Sequence, residues 1–254
     1  MLIRKLINSQ IWLSRKFDQL LPKELNVDGN FDFLHHKLPP LLQHGQVILD
    51  VGGGKNPYIG IHKKNEIDAT LIGLDIDQHE LEQAPAGTYD EIICADITQC
   101  TEIEHRIDLA ICQSVFEHVD DVDAAIRNIS LMLNPKSGKI VFFVPCKYAP
   151  FAMLNRFLPE GVKKNLLYFV FPQTERDQGF KAYYDKCTPR EIRDIAERNS
   201  MTILDEQVYH MSGYFTFFFP LHLAWRAWML IYFVFHRSYP VETFYMALQR
   251  SEQS

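Results

Sequence analysis

The sequence predicts an α/β domain whose core is a mostly parallel β-sheet with helices on both faces. From residue 46 onward, short apolar runs alternate with polar, helix-like stretches, an order typical of βαβ units. The runs are rich in Val, Ile and Leu, as expected for strands that are buried on both faces. We predict strands at 46–51, 70–75, 91–95, 108–113, 139–145, 201–209 and 244–250.

Two helices are predicted from their capping and periodicity. Thr188 can cap a helix, Pro189 suits its first position and Glu191 completes a capping box, so this helix should run to about Asn199. Residues 2–21 carry apolar residues at spacings of three and four, flanked by Arg and Lys. That helix either docks on its own domain or lies on an anionic membrane, and both interpretations are open.

Length, composition and charge narrow the class of protein. The 254 residues suit one domain with insertions, and the apolar fraction of 47% allows a sizeable core. With 26 basic and 32 acidic residues, the net charge is −6, so we expect no nucleic-acid partner. The five cysteines form no CxxC pair, which indicates reduced thiols in an intracellular protein rather than a disulfide framework or a zinc site.

The clearest functional signal is the segment VILDVGGGK at 47–55, in which a buried strand ends in Asp50 and runs into glycines. The carboxyl end of a strand in an open parallel sheet borders a ligand crevice, and glycines let a ligand approach the backbone. A phosphate-binding P-loop requires GxxxxGK[ST], which GGGKNPY does not provide. A dinucleotide fingerprint requires GxGxxG; Gly52 and Gly54 supply two glycines, but Pro57 occupies the third position.

A second strand-end acid supports an adenosine ligand. Asp75 ends the predicted strand 70–75, and an acid at that place can bind the two ribose hydroxyls of adenosine. A solvated strand-end aspartate is the alternative. Asp96 and Ile97 follow the next predicted strand, and the segment IDLAICQSVFEHV at 107–119 contains the fourth.

Taken in order, these segments resemble the motifs of class I S-adenosylmethionine-dependent methyltransferases of the type 11 kind, which include enzymes for small molecules and lipids. The DVGGG turn is similar to motif I, and the EHV ending at 117–119 is shared with ubiquinone-biosynthesis O-methyltransferases. The resemblance implies a Rossmann-like, doubly wound sheet with an antiparallel last strand, and S-adenosylmethionine as cofactor. It also implies that Asp96 contacts the adenine amino group and that Ile97 packs on the ring. The implied cofactor-binding residues are Asp50, Gly52, Gly54, Asp75, Ile76, Asp96, Ile97 and Gln113.

The same resemblance places two candidate catalytic residues, His118 and Glu117, beside the methyl donor. Methyl transfer requires alignment, and an oxygen nucleophile often requires a base, for which histidine is the better residue type near neutral pH. A structural histidine that caps the turn is the alternative for His118. Residues 183–185, Tyr-Tyr-Asp, either line an acceptor pocket or form a surface loop. Some ubiquinone-type enzymes carry a metal-associated ExxEH, but Ser114 occupies its first position here, so we expect no metal.

Two apolar insertions interrupt the predicted sheet, at 146–186 and 213–236. The stretch 215–235 has one formal charge, Arg226, and dense aromatic residues, which favours a segment that dips into one leaflet over a membrane span. A buried cap or dimer interface is the alternative. Both insertions leave the carboxyl edge of the sheet, so we expect them around the mouth of the active site. We therefore predict an N-terminal amphipathic helical segment at 1–44 and a methyltransferase domain at 45–254.

The leading hypothesis is a methyltransferase that O-methylates a small or lipid-like acceptor, such as a lipid, quinone or lipid-linked glycan. We expect it to be cytoplasmic, peripheral on the membrane's cytoplasmic face, and a monomer or homodimer. A catalytically inactive, membrane-associated scaffold of the same fold is one alternative, which the three strand-end acids disfavour. A nicotinamide-dependent reductase is another, which the missing third glycine disfavours.

Overall fold

A seven-stranded β-sheet carries the predicted strands, in the order β3-β2-β1-β4-β5-β7-β6. The computed structural model describes residues 2–99, 107–157, 181–211, 213 and 215–251; Cys100 and most of the insertion predicted at 146–186 lie outside these residues. The strands are β1 Val47–Val51, β2 Thr70–Asp75, β3 Glu91–Cys94, β4 Leu109–Gln113, β5 Lys139–Pro145, β6 Met201–Tyr209 and β7 Thr243–Arg250.

The strand directions confirm the predicted doubly wound topology. Strands β1 to β5 pair in parallel, with Asp50 of β1 beside Gly73 of β2 and Ile111 of β4. Strand β7 is antiparallel to both neighbours, because Ser251 N–H donates to the Ser200 carbonyl and Arg250 N–H donates to the Gly138 carbonyl. The strand order reverses beside β1, and ligands of such sheets bind at this point, outside the carboxyl ends of the strands.

The helices follow the capping chemistry of the sequence. They are α1 Leu2–Asp18, α2 Gly29–Asp32, α3 Ile61–Glu66, α4 Gln78–Glu82, α5 Val122–Met132, α6 Pro150–Phe157, α7 Pro189–Arg198 and α8 Phe219–His236, within the described residues. Helix α7 begins as predicted: Thr188 Oγ1 accepts the Glu191 N–H (3.2 Å) and donates to Glu191 Oε2 (2.7 Å). The described residues also contain three 3-10 turns, Lys23–Asn26, Pro39–Leu41 and Phe116–His118, and a π-helix, Phe33–Lys37.

The contacts divide the chain into two compact units, which we call the sheet unit and the helical unit. The sheet unit contains residues 30–147, 182–207 and 244–254, and the helical unit contains 1–29, 148–181 and 208–243. The chain enters the helical unit after Pro145 of β5 and around Tyr209 of β6, so both insertions leave the carboxyl edge of the sheet, as expected. The N-terminal helix therefore packs with the insertions in one unit, a grouping that sequence periodicity does not predict.

Within the helical unit, α1 docks on α8. Ser14 Oγ donates to the Thr216 carbonyl (3.0 Å), and Gln10 Oε1 accepts the Phe219 N–H (3.1 Å) at the start of α8. An apolar cluster of Leu25, Phe215, Trp225 and Met229 lies beside them. Among the described residues, no helix is long and apolar enough to cross a membrane. Residues 219–236 form one continuous helix.

The single charge of that insertion is buried inside the protein. Arg226 and His222 have no exposed surface, and both donate to Asp18 Oδ1, at 2.8 and 2.9 Å. The guanidinium also lies over the Trp225 ring, 4.4 Å from its centroid. Burial by itself would raise the pKa of Asp18, but the hydrogen bonds and charges of His222 and Arg226 outweigh it and hold this pKa below its usual value. The Asp18 carboxylate therefore joins α1 to α8.

Removing the Asp18 carboxylate should destabilise the helical unit. Asp18→Leu leaves the Arg226 charge buried without its counter-ion, and we expect a loss of about 3–5 kcal/mol in the free energy of unfolding. Urea unfolding followed by tryptophan fluorescence measures this, because all three tryptophans, Trp12, Trp225 and Trp228, lie in α1 and α8. The double variant Asp18→Leu with Arg226→Met removes both charges and should recover most of the loss. A single variant with the wild-type urea midpoint would contradict the assignment.

Candidate active site

The turn after β1 requires glycine for two separate reasons. Gly52 and Gly54 adopt left-handed backbone angles, with φ of +70° and +49°. Space is also limited: a Cβ at Gly52 would lie 2.6 Å from Val115 Cγ2, and one at Gly53 would lie 2.5 Å from both Asp50 carboxylate oxygens. Sequence reasoning did not single out Gly53, although its place between the two other glycines is a local signal for it.

The Asp50 side chain stabilises this turn. The side chain is fully buried, and its Oδ2 accepts the Tyr58 N–H and the Tyr89 hydroxyl, each at 3.1 Å. Tyr58 in turn donates its hydroxyl to the Gln113 carbonyl of β4 (2.6 Å). Burial raises the pKa of Asp50 to about 7, against the lowering effect of these hydrogen bonds. The role that fits these contacts is to shape the turn.

Asp75 faces the glycine turn from the end of β2. Its Oδ1 accepts the Asp77 N–H (3.0 Å), and its Oδ2 would lie 3.2 Å from a Cβ added at Gly54. Burial, with the nearby Asp77 and Glu80 carboxylates, raises the pKa of Asp75. The next residue, Ile76, is 61% exposed, so a large apolar side chain is accessible to solvent at the carboxyl edge of the sheet.

Asp96 and Ile97 follow β3, and both are less exposed than Ile76. Asp96 Oδ1 accepts both the Thr98 N–H (2.9 Å) and the Thr98 hydroxyl (2.8 Å), so this oxygen stabilises its own turn. The Ile97 side chain is buried, and its carbonyl accepts the Asn128 amide (2.9 Å). The second carboxylate oxygen, Asp96 Oδ2, accepts a hydrogen bond from the Gln99 side-chain amide at 3.4 Å.

The end of β4 carries an oriented amide and a strained residue. The Gln113 amide nitrogen donates to Asn30 Oδ1, and its Oε1 finds no donor in the part of the chain that the structure describes. Ser114 follows with a φ of +54°, which is unfavourable for a residue with a Cβ. Such strain is concentrated at functional sites. No local pattern identifies Asn30, because it lies 83 residues from Gln113 in sequence.

Glu117 is the buried acid of this region. Its side chain is 5% exposed, and its Oε2 accepts no hydrogen bond from any described residue. Burial raises the pKa of Glu117 to about 8. Its carbonyl accepts the N–H groups of Tyr183 (2.7 Å) and Tyr184 (3.0 Å), so the segment 183–185 lies against this turn. Half-buried His118 closes the same turn through its N–H to the Val115 carbonyl (2.8 Å).

At the carboxyl edge of the sheet these residues bring together groups that suit a nucleoside. Asp75 and Gly54 leave a space without a Cβ, Ile76 offers an exposed apolar surface, and Gln113 Oε1 offers an acceptor. Carboxylate, amide and apolar groups suit ribose hydroxyls, an ammonium group and an adenine ring, so this donor set fits S-adenosylmethionine. The fold and site define a Rossmann-like enzyme with a nucleoside cofactor.

Comparison with known families is consistent with this class. A family model described as a methyltransferase domain matches residues 26–184, so the chain belongs to this methyltransferase family. It is an S-adenosylmethionine-dependent methyltransferase, as the motifs predicted. The match begins inside the segment 1–44, close to Asn30, where the sheet unit begins. No curated protein matches the chain at a significant level.

Solved structures share the fold at low sequence identity. An S-adenosylmethionine-dependent methyltransferase from Mesorhizobium loti is 17% identical, covers 89% of this chain and 100% of its own, and has a TM-score of 0.57. Magnesium protoporphyrin IX methyltransferase from Synechocystis PCC 6803, with bound S-adenosylhomocysteine, is 16% identical over 90% and 86%, with a TM-score of 0.54. A mycolic acid cyclopropane synthase with S-adenosylhomocysteine is 17% identical over 87% and 83%, with a TM-score of 0.53.

Proposed function

We propose that this methyltransferase O-methylates an apolar, lipid-like acceptor at a membrane surface. The observation that carries the O-methylation is Glu117, a buried carboxyl group with an unpartnered oxygen among the described residues, at the carboxyl end of β4. The observation that supports an apolar acceptor is the exposed apolar side of α8, the helix that follows β6 along the chain. The mycolic acid cyclopropane synthase of the same fold is named for a lipid substrate.

The cofactor-binding roles follow from the contacts above. Asp75 binds the ribose hydroxyls, and Asp96 uses its second oxygen for the adenine amino group. Exposed Ile76 takes the ring-packing role that the resemblance implied for Ile97, because the Ile97 side chain is buried. Gln113 accepts a hydrogen bond through Oε1. Gly54 leaves room for the ligand beside Asp75, Gly52 lets the turn pack against Val115, and Asp50 keeps their turn in shape. When bound, S-adenosylmethionine supplies an electrophilic methyl group on a sulfonium.

Glu117 acts as the base for the acceptor hydroxyl. Methylation of a hydroxyl releases a proton, and a carboxylate whose pKa is about 8 holds that proton well near neutral pH. Its low exposure excludes bulk water, which strengthens the interaction. His118, one residue away, is the competing candidate, and its half-buried ring makes it the matched comparison.

Asp75→Ala should weaken S-adenosylmethionine binding about tenfold or more, roughly 1.4 kcal/mol, because the ribose hydroxyls lose a charged acceptor. Isothermal titration calorimetry with S-adenosylmethionine and S-adenosylhomocysteine measures the change. Asp194→Ala, an exposed aspartate of α7, is the control and should bind like wild type. Equal affinities for all three proteins would remove Asp75 from the site.

Glu117→Gln should lower the rate of methyl transfer by about 10²–10⁴-fold, while S-adenosylmethionine binding is retained. Because the carboxylate is the active form, the wild-type rate should rise with pH and level off above about 8. The variant should lose this rise, and His118→Gln should keep it. A pH–rate profile under single-turnover conditions gives both results. If His118→Gln loses the rise and Glu117→Gln keeps it, histidine is the base and our assignment is wrong.

An apolar chain on the acceptor should raise kcat/KM at least about tenfold. We would compare a long-chain phenol in non-ionic micelles with the same phenol without its chain, using radiolabelled S-adenosylmethionine. Burial of the chain is the expected source of the gain. Methylation confined to the chain-free, water-soluble phenol would rule out the lipid-like acceptor.

A further inference from the structure

The outward side of α8 is apolar along the whole helix. Every exposed position between 220 and 235 carries an apolar residue, and the most exposed large ones are Leu221, Leu223, Trp228, Ile231, Val234 and Phe235. Phe235 and Val234 are 78% and 62% exposed. At 1.5 Å per residue, the 18-residue helix presents this surface over about 27 Å. The polar residues of the helix interior, His222 and Arg226, are fully buried.

Helix α1, which docks on the buried side of α8, carries exposed apolar and basic residues of its own. Leu6 and Leu13, seven residues apart, share one side of α1 and are exposed, as is Trp12. Four cations of α1, Arg4, Lys5, Arg15 and Lys16, are also exposed. The one acid of α1 is Asp18, which is buried and paired with α8, and α8 contains no acid at all.

This combination of residues fits a lipid bilayer that contains anionic headgroups. Apolar side chains enter the boundary between headgroups and acyl chains, and lysines and arginines bind anionic phosphates. The local excess of cations is notable because the whole chain has a net charge of −6. A second copy of the chain fits less well, since its α1 and α8 would bring the same cations and no exposed acid to pair with them.

We propose that α1 and α8 form one membrane-binding surface, selective for anionic lipids, that Asp18 holds together. We call it the α1–α8 surface: the six apolar residues of α8 named above, with Leu6, Trp12, Leu13 and the four cations of α1. The inference rests on the proposed function in that it names the partner that presents the acceptor. Its test uses neither cofactor nor acceptor, so its failure is distinct from a failure of methyl transfer.

Vesicle sedimentation with the full chain tests the surface directly. The protein should sediment with phosphatidylcholine vesicles that contain phosphatidylglycerol, and added salt should weaken this binding. Exposed Trp12 and Trp228 should shift their fluorescence to shorter wavelength on binding. Ile231→Glu with Phe235→Glu should weaken binding at least about tenfold, roughly 1.4 kcal/mol. Leu131→Glu, at a 51% exposed leucine of α5 in the sheet unit, is the matched control and should bind like wild type.

Variants of the α1 cations test whether the protein selects anionic lipids or binds vesicles through its apolar residues alone. Arg15→Gln with Lys16→Gln should lower binding to the phosphatidylglycerol vesicles several-fold, while Lys136→Gln with Arg190→Gln, two exposed cations of the sheet unit, should not. Equal binding to vesicles of phosphatidylcholine alone would overturn the selectivity. The membrane assignment would be overturned if the wild type bound neither kind of vesicle and sedimented as a dimer in the analytical ultracentrifuge. If Ile231→Glu with Phe235→Glu converted that dimer to a monomer, the α1–α8 surface would be an interface with a second copy of the chain.

Discussion

The site depends on how one buried carboxylate, Asp50, is satisfied. A carboxylate without water must receive hydrogen bonds from the protein, and Asp50 receives them from Tyr58 and Tyr89. Each tyrosine then reaches a neighbouring strand: Tyr58 donates to the carbonyl of Gln113 in β4, and the Tyr89 ring fills the space beside Gly73 in β2, where a Cβ would lie 2.9 Å away. The carboxylate also sets the need for glycine at position 53. Asp50 thus connects the cofactor turn to the strands on both sides.

Three buried carboxyl groups differ in pKa because their hydrogen-bond partners differ. Asp18 receives hydrogen bonds from Arg226 and His222, which hold its pKa low and keep it a charged link between helices. Asp50 receives neutral donors, and burial raises its pKa to about 7. Glu117 has even less compensation, and its pKa rises to about 8, the range in which a carboxyl group can exchange a proton with an acceptor. The same functional group therefore serves packing and turn geometry within one chain, and its third environment suits the proton transfer that we propose.

The sequence was informative where local pattern determines structure. Strands 70–75, 139–145 and 201–209 are found at the predicted residues because continuous apolar runs or clear breaks mark them. The fold and cofactor followed from motifs that succeed one another along the chain. Tyr58, Tyr89 and Asn30 were missed, since their contacts join residues up to 83 positions apart and no local period encodes them. Arg226 was interpreted as a penalty for membrane insertion because its partner, Asp18, lies 208 residues away.

That separation has a consequence for synthesis. Asp18 leaves the ribosome long before Arg226, and at about 5–20 residues per second the interval is roughly 10–40 s. The helical unit consists of three chain segments, so it closes only after β6 has been translated. During this interval α1 emerges as an amphipathic peptide with its docking side open. Gln10, Ser14 and Asp18 therefore wait for their α8 partners until the end of synthesis, which makes assembly of this unit a late step.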